Sequence, residues 1–193
     1  EDSIFIFLEV TIDPSSNTTP YVLTDSLVFT TGTKQQDVDV VAWGQDAYYH
    51  TPNSKMYIDI DNNGDSLFSY PHYINENQNW DNTKPHIITG DVIIGENTVL
   101  TIAAGAKIYF HKTHNMKEFY NYYLGIPNRK SAGMIVFGTI KINGTLGNEV
   151  TFQGDRLDPW YKDIPGQWDR IWLMPGSIDN EINYAIIRNG NIG

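Results

Sequence analysis

The sequence predicts an all-β chain: an N-terminal β-sandwich-like segment followed by the first coils of a right-handed parallel β-helix. Two observations predict the second part. Across KPHIITGDVIIGENTVLTIAAGAKIYF (84–110) and AGMIVFGTIKINGTLGNEVTFQGD (132–155) the apolar side chains recur every second residue. They are Val92, Ile94, Leu100, Ile102, Ile108 and Phe110, then Met134, Val136, Ile140, Ile142, Val150 and Phe152. That is strand periodicity, with one face buried and Thr, Lys and Glu on the other. The runs are also short, and each is closed by Gly, Asn or an Ala-Gly pair. A hairpin meander prefers Asn-Gly or Asp-Gly turns between longer strands. Short strands meeting at frequent bends suit a solenoid, whose coils of about 20 to 25 residues bury their inward faces on one another.

In chain order, residues 1–50 hold three strand-like runs, SIFIFLEVTI, YVLTDSLVFTT and QDVDVVAWGQDA, separated by Pro-Ser-Ser-Asn and Thr-Gly-Thr turns. They read as antiparallel strands of a β-sandwich. Three are too few for a free-standing sandwich of about seven, so either upstream sequence completes it or the strands pack on the solenoid as its N-terminal cap. A meander peculiar to this chain is the alternative.

Residues 51–83 read as a hairpin and linker. Asp59, Asp61, Asn63 and Asp65, with Gly64, match the opening of a calcium loop, but the twelfth position is Tyr70 rather than Glu and no paired helices flank it. MYIDI and SLFSY are strand-like and Asn-Asn-Gly-Asp suits a tight turn, so the hairpin is expected and bound calcium is the alternative. Trp80 and Lys84-Pro85 then fall in a solvated linker.

Two insertions interrupt the solenoid. Residues 112–131 carry Phe119, Tyr120, Tyr122 and Tyr123, and residues 155–166 carry Trp160 and Tyr161 beside Asp155, Asp158 and Asp163. Loops leaving adjacent coils at one corner start about 5 Å apart, so the two are expected to form one aromatic, acid-rimmed patch. Exposed rings of this kind stack on sugars or receive a partner protein's apolar side chains; the alternative is that they fold back over a coil. If Ile171 and Leu173 point inward, Trp168 and Trp172 stand outside with Arg170 between them and extend the patch.

Composition bounds the function. A net charge of −10 argues against nucleic-acid binding and anionic membrane surfaces, and it repels polyanionic substrates at long range. The absence of Cys excludes disulfides and thiolate metal sites. The aromatic content of 13% is high enough to put some rings on the surface. The apolar run Ile4 to Leu8 is too short for a membrane span. Lys107, Lys141, Arg170 and Arg188 fall on predicted strands as a solvated face. Asp155, Asp158, Asp163 and Asp169 are close in sequence, as a glycosidase requires, but three lie in a Pro- and Gly-rich loop that suits turns equally. His111 and His114 alone among the histidines have ligand-like spacing. No catalytic residue and no cofactor is therefore expected.

The run TGDVIIGENTVLTIAAGAKIYF, continued by FGTIKINGTLGNEVTFQGD, resembles the opening coils of pectin-lyase-like β-helix domains on surface proteins of Bacteroidetes-type bacteria. PGQWDRIWLMPGSIDNEINYAIIRNG is similar to the next coil, and VDVVAWGQDAYYH to the closing strand of the immunoglobulin-like modules that precede such helices. The resemblance spans residues 84–193. It implies a protein of the outer-membrane surface, a lipoprotein with its lipid anchor upstream of residue 1. Its expected role is a non-enzymatic binding or scaffold module contacting glycan or a neighbouring outer-membrane protein. The strand pattern reaching Gly193 suggests further coils. The alternatives are a polysaccharide lyase or glycoside hydrolase with its active site in later coils, and an accessory subunit of a nutrient-uptake complex.

Overall fold

A computed structural model describes residues 8, 21–44, 46–60, 66–111 and 132–191. These are all-β, with seventeen strands and no helix among the described residues. No helix there is long and apolar enough to cross a membrane. The chain separates into two compact units, Glu1–Asp46 and Ala47–Gly193, rather than at residue 50.

In the first unit β1 (Tyr21–Thr31) and β2 (Lys34–Gly44) pair antiparallel in unbroken register, from Tyr21 opposite Gly44 to Thr31 opposite Lys34. Gly32 makes the two-residue turn at φ 61°, a value glycine adopts without a steric penalty. Of the three expected strands, SIFIFLEVTI lies outside the described residues apart from Leu8.

The second unit opens with β3 (Tyr48–His50) and the antiparallel hairpin β4 (Met56–Ile60) and β5 (Ser66–Ser69), as the turn-flanked runs predict. Twelve strands follow: β6 (His72–Ile74), β7 (Gln78–Trp80), β8 (His86–Thr89), β9 (Val92–Ile94), β10 (Val99–Ala103), β11 (Lys107–His111), β12 (Met134–Val136), β13 (Thr139–Asn143), β14 (Val150–Gly154), β15 (Ile171–Leu173), β16 (Glu181–Asn183) and β17 (Ala185–Ile187). They form three parallel sheets: β6-β9-β12-β15 (sheet I), β7-β10-β13-β16 (sheet II) and β3-β8-β11-β14-β17 (sheet III). From β6 onward the chain visits the three sheets in rotation, so each strand pairs with the strand three further on.

Register explains the core. Ile74, Ile94, Val136 and Leu173 align across sheet I. Trp80, Ile102, Ile142 and Ile182 align across sheet II, and His86, Ile108, Phe152 and Ile187 across sheet III. All twelve aliphatic and aromatic positions picked out by the alternation are fully buried in one cluster. Gly138 shows why some bends admit no side chain: a Cβ there would stand 2.2 Å from the Thr98 carbonyl oxygen. A smaller apolar cluster lies on the other face of sheet I, where Met56, Tyr73, Phe137 and Met174 pack on Ile93 and Ile135.

The sheets begin before Lys84. The stretch expected to be a solvated linker contributes β6 and β7, and Trp80 is buried. Strands of three residues are too short for alternation to register, and these hold His72 and Gln78.

Candidate functional site

Sheet III gathers polar side chains on the face opposite its core. With Ile108, Phe110 and Phe152 turned inward, alternation sends Tyr109, His111 and Gln153 outward. Tyr109 pairs in register with Gln153, and Arg188, just past β17, donates from Nε to Gln153 Oε1 at 2.5 Å. His111 pairs in register with Thr89, and its Nδ1 donates to Asp155 Oδ2 at 2.5 Å. The parallel ladder thus places side by side residues 44 positions apart in sequence.

The chemistry follows from those contacts. Asp155 fixes the His111 ring through Nδ1 and leaves Nε2 on a half-exposed imidazole. Gln153 holds the Arg188 guanidinium by Nε, leaving its two terminal amino groups for an acceptor. Tyr109 is 7% exposed. Burial pushes its phenol above the ordinary value, and the charge of Arg188 offsets part of that rise.

The loop 155–166 leaves sheet III beside this face and is braced along its length. Arg156 donates from Nε to Asp158 Oδ2 at 2.9 Å and lies over the Tyr161 ring at 4.2 Å. The amides of Tyr161 and Lys162 bond to the Asp158 carbonyl. Gln167 Nε2 donates to the carbonyls of Tyr161 and Ile164, and Asn189 Nδ2 to those of Lys162 and Ile164. Trp160, by contrast, is 75% exposed.

No family model, no curated protein and no solved structure matches the chain.

Of the residues singled out by sequence, Trp160 is on the surface and Tyr161 is partly covered by Arg156. Phe119, Tyr120, Tyr122 and Tyr123 lie outside the described residues, as do Asp61, Asn63 and Asp65; Asp59 belongs to β4, paired with Leu67.

Trp168 corrects an expectation: it is 1% exposed and stacks on Phe110 with ring centres 4.1 Å apart, its Nε1 donating to the Arg188 carbonyl. The strand begins only at Ile171, so alternation does not reach back to Trp168. The missing side chain of Gly154, where a Cβ would meet Gln167 Oε1 at 2.0 Å, leaves the room these residues fill. Arg170 therefore covers Trp172 alone, at 4.9 Å, and pairs through Nε with Asp169 Oδ2 at 2.9 Å. Sequence reasoning missed Tyr109, Gln153, Arg188 and the His111–Asp155 pair as a group. The usable signal was their outward parity beside inward aliphatics, which becomes a site only once the register across the 112–131 insertion is known.

Proposed function

We propose that the three parallel sheets close into a right-handed parallel β-helix, and that this chain is a non-enzymatic bacterial surface scaffold that binds glycan. The binding elements are the loop 155–166 and the adjoining face of sheet III. Rotation of the chain through three sheets, with every third strand in register, supports the β-helix. Trp160 carries the glycan reading: a large ring stands exposed on a loop whose neighbouring backbone is tied down at Tyr161, Lys162 and Ile164. A loop already ordered loses little entropy on binding, and an indole offers a flat apolar face with one polar edge. A net charge of −10 favours neutral glycans over polyanions. The sequence resemblance supports an outer-membrane surface location, a lipid anchor and a role as accessory subunit beside an outer-membrane partner.

One observation favours a second reading, a polysaccharide lyase or glycoside hydrolase. His111 is oriented by Asp155 and keeps Nε2 for proton transfer beside Tyr109 and Arg188.

Calorimetric titration of the full chain with a panel of neutral and acidic oligosaccharides, followed by product analysis of the same samples, separates the two. Binding without cleavage is expected, with Trp160→Ala weakening it about fivefold or more, about 1 kcal/mol. Unchanged affinity in Trp160→Ala removes the loop from the site. Cleavage that disappears in His111→Ala establishes the enzyme.

A further inference from the structure

Three histidines and a tryptophan join the first strands of all three sheets. His50 lies on β3, His72 on β6 and Trp80 on β7, while His86 lies on the neighbouring β8. Each of β3, β6 and β7 is an end strand in its sheet, with a ladder on one side only, and such strands are the cheapest part of a sheet to open. The rings supply what the missing ladders do not. Trp80 stacks on His50 at 4.1 Å and on His86 at 4.8 Å, and His72 meets His50 edge-on at 5.1 Å.

The hydrogen bonds fix the protons. A carbonyl only accepts, so His86 Nε2, 2.9 Å from the Asp81 carbonyl, carries a hydrogen. In the neutral ring Nδ1 is then a lone pair, and it accepts from His50 Nε2 at 2.9 Å. His72 Nδ1 donates to the Thr51 carbonyl at 2.7 Å. A proton added to His86 must go to Nδ1, where it faces the N–H of His50. Only one hydrogen fits between the two nitrogens, so the pair tolerates a single added proton only as a charge held among stacked, buried rings, and a second proton breaks the bond.

The surroundings oppose protonation too. Burial, then the neighbouring His86 and His72, lower His50 to about 3. Burial also lowers His86, outweighing its bond to the Asp81 carbonyl and the attraction of the Asp81 carboxylate. That carboxylate is itself engaged by the amide and hydroxyl of Thr83. The Lys84 ammonium lies 5.8 Å from the ring of Tyr48, which tilts over His86 at 5.1 Å. Trp80, stacked on both His50 and His86, is uncharged.

We propose that this cluster is an acid-released latch: neutral imidazoles hold β3, β6 and β7 against the next strands, and proton uptake frees them while the later rounds stay folded. In the opened form an imidazole titrates near about 6.5. The closed form is therefore fully favoured above that pH. As pH falls toward the value of His50, opening gains about tenfold per pH unit for each histidine that takes up a proton. The latch depends on its rings and not on any ligand of sheet III.

Hydrogen exchange of the full chain at pH 7 and pH 5, corrected for the intrinsic rate, tests it. Opening in peptides covering 48–50, 72–74 and 78–80 is expected to rise at least about tenfold more than in peptides covering 134–136, 139–143 and 150–154. His50→Phe keeps a ring against Trp80 but takes no proton, and should blunt the difference. Where that variant does not fold, side-chain nitrogen spectra of the histidines in the unaltered chain decide. An equal rise in all peptides, or a protonated His50 or His86 in a chain still protected at 48–50, overturns the latch.

Discussion

The two ends of the parallel sheets are built from the same columns of residues and finished differently. At the β6–β8 end, Ile74, Trp80 and His86 are buried; Trp80 stacks on His50 and His86, and β3 lies beside β8. At the β15–β17 end their counterparts in the same columns, Leu173, Ile182 and Ile187, are 43%, 50% and 46% exposed. An inward side chain in a stack of parallel strands is covered only when a further layer lies on each side, so an aliphatic in the last layer stays wet whatever its register. Flat rings solve this at the first end. They span the mouth of the core and hand their polar edges to the carbonyls of Thr51 and Asp81 and to the Gln78 side chain. On the proposed latch, imidazole as covering material makes that end answer to pH, whereas Leu173, Ile182 and Ile187 themselves carry no titratable group.

Removing one residue of the shared Trp80–Ile182 column at each end puts the contrast to its hardest test. Trp80→Ala should cost about 3 to 5 kcal/mol, since it empties a buried site and strips the stack from two imidazoles. Ile182→Ala should cost under about 1 kcal/mol, because much of its surface is already in water. Urea midpoints measure both. Comparable losses would mean that the last layer is covered in solution.

The next effect in size is the pH dependence of global stability. In the folded chain His50 stays neutral down to about 3, while in the unfolded chain an imidazole titrates near about 6.5. The unfolded chain binds more protons throughout that window, so stability that is complete above about pH 6.5 drains as pH falls. By pH 4.5 His50 alone should withdraw about 2 to 3 kcal/mol. The difference in urea midpoint between pH 7 and pH 4.5 should shrink by about that amount in His50→Phe. If the variant keeps the whole slope, the rings at the first end contribute nothing to the acid response.

The same contrast sets what could be read from sequence. The middle rounds were legible because strands of five residues such as Val99–Ala103 and Thr139–Asn143 show full alternation, and their inward aliphatics pair with one another, Leu100 with Ile140 and Ile102 with Ile142. The first round was not. Its strands are three or four residues long, and its inward positions hold His50, Gln78 and His86, whose polar atoms find partners that residue types do not announce: His86, 36 positions away, for His50, and the Trp80 indole on the same strand for Gln78. Trp168 was misplaced because alternation was carried back past Ile171 into a stretch shaped by the room at Gly154. The pairing of His111 with Asp155 needed the register across an insertion, which residue types do not reveal.

The smallest expected effect is at the exposed end and concerns a polar pair. Lys141 and Glu181 are direct register partners on β13 and β16, with Nζ 2.7 Å from Oε1, and the pairing raises the lysine's pKa. Both side chains are well exposed, so water and salt screen their attraction, and holding two long side chains in place offsets part of the gain. Glu181→Gln should therefore move the urea midpoint slightly at low ionic strength and not at all at high salt. A salt-independent loss approaching that of Trp80→Ala would show β16 shielded from solvent, and the two ends would then no longer differ in kind.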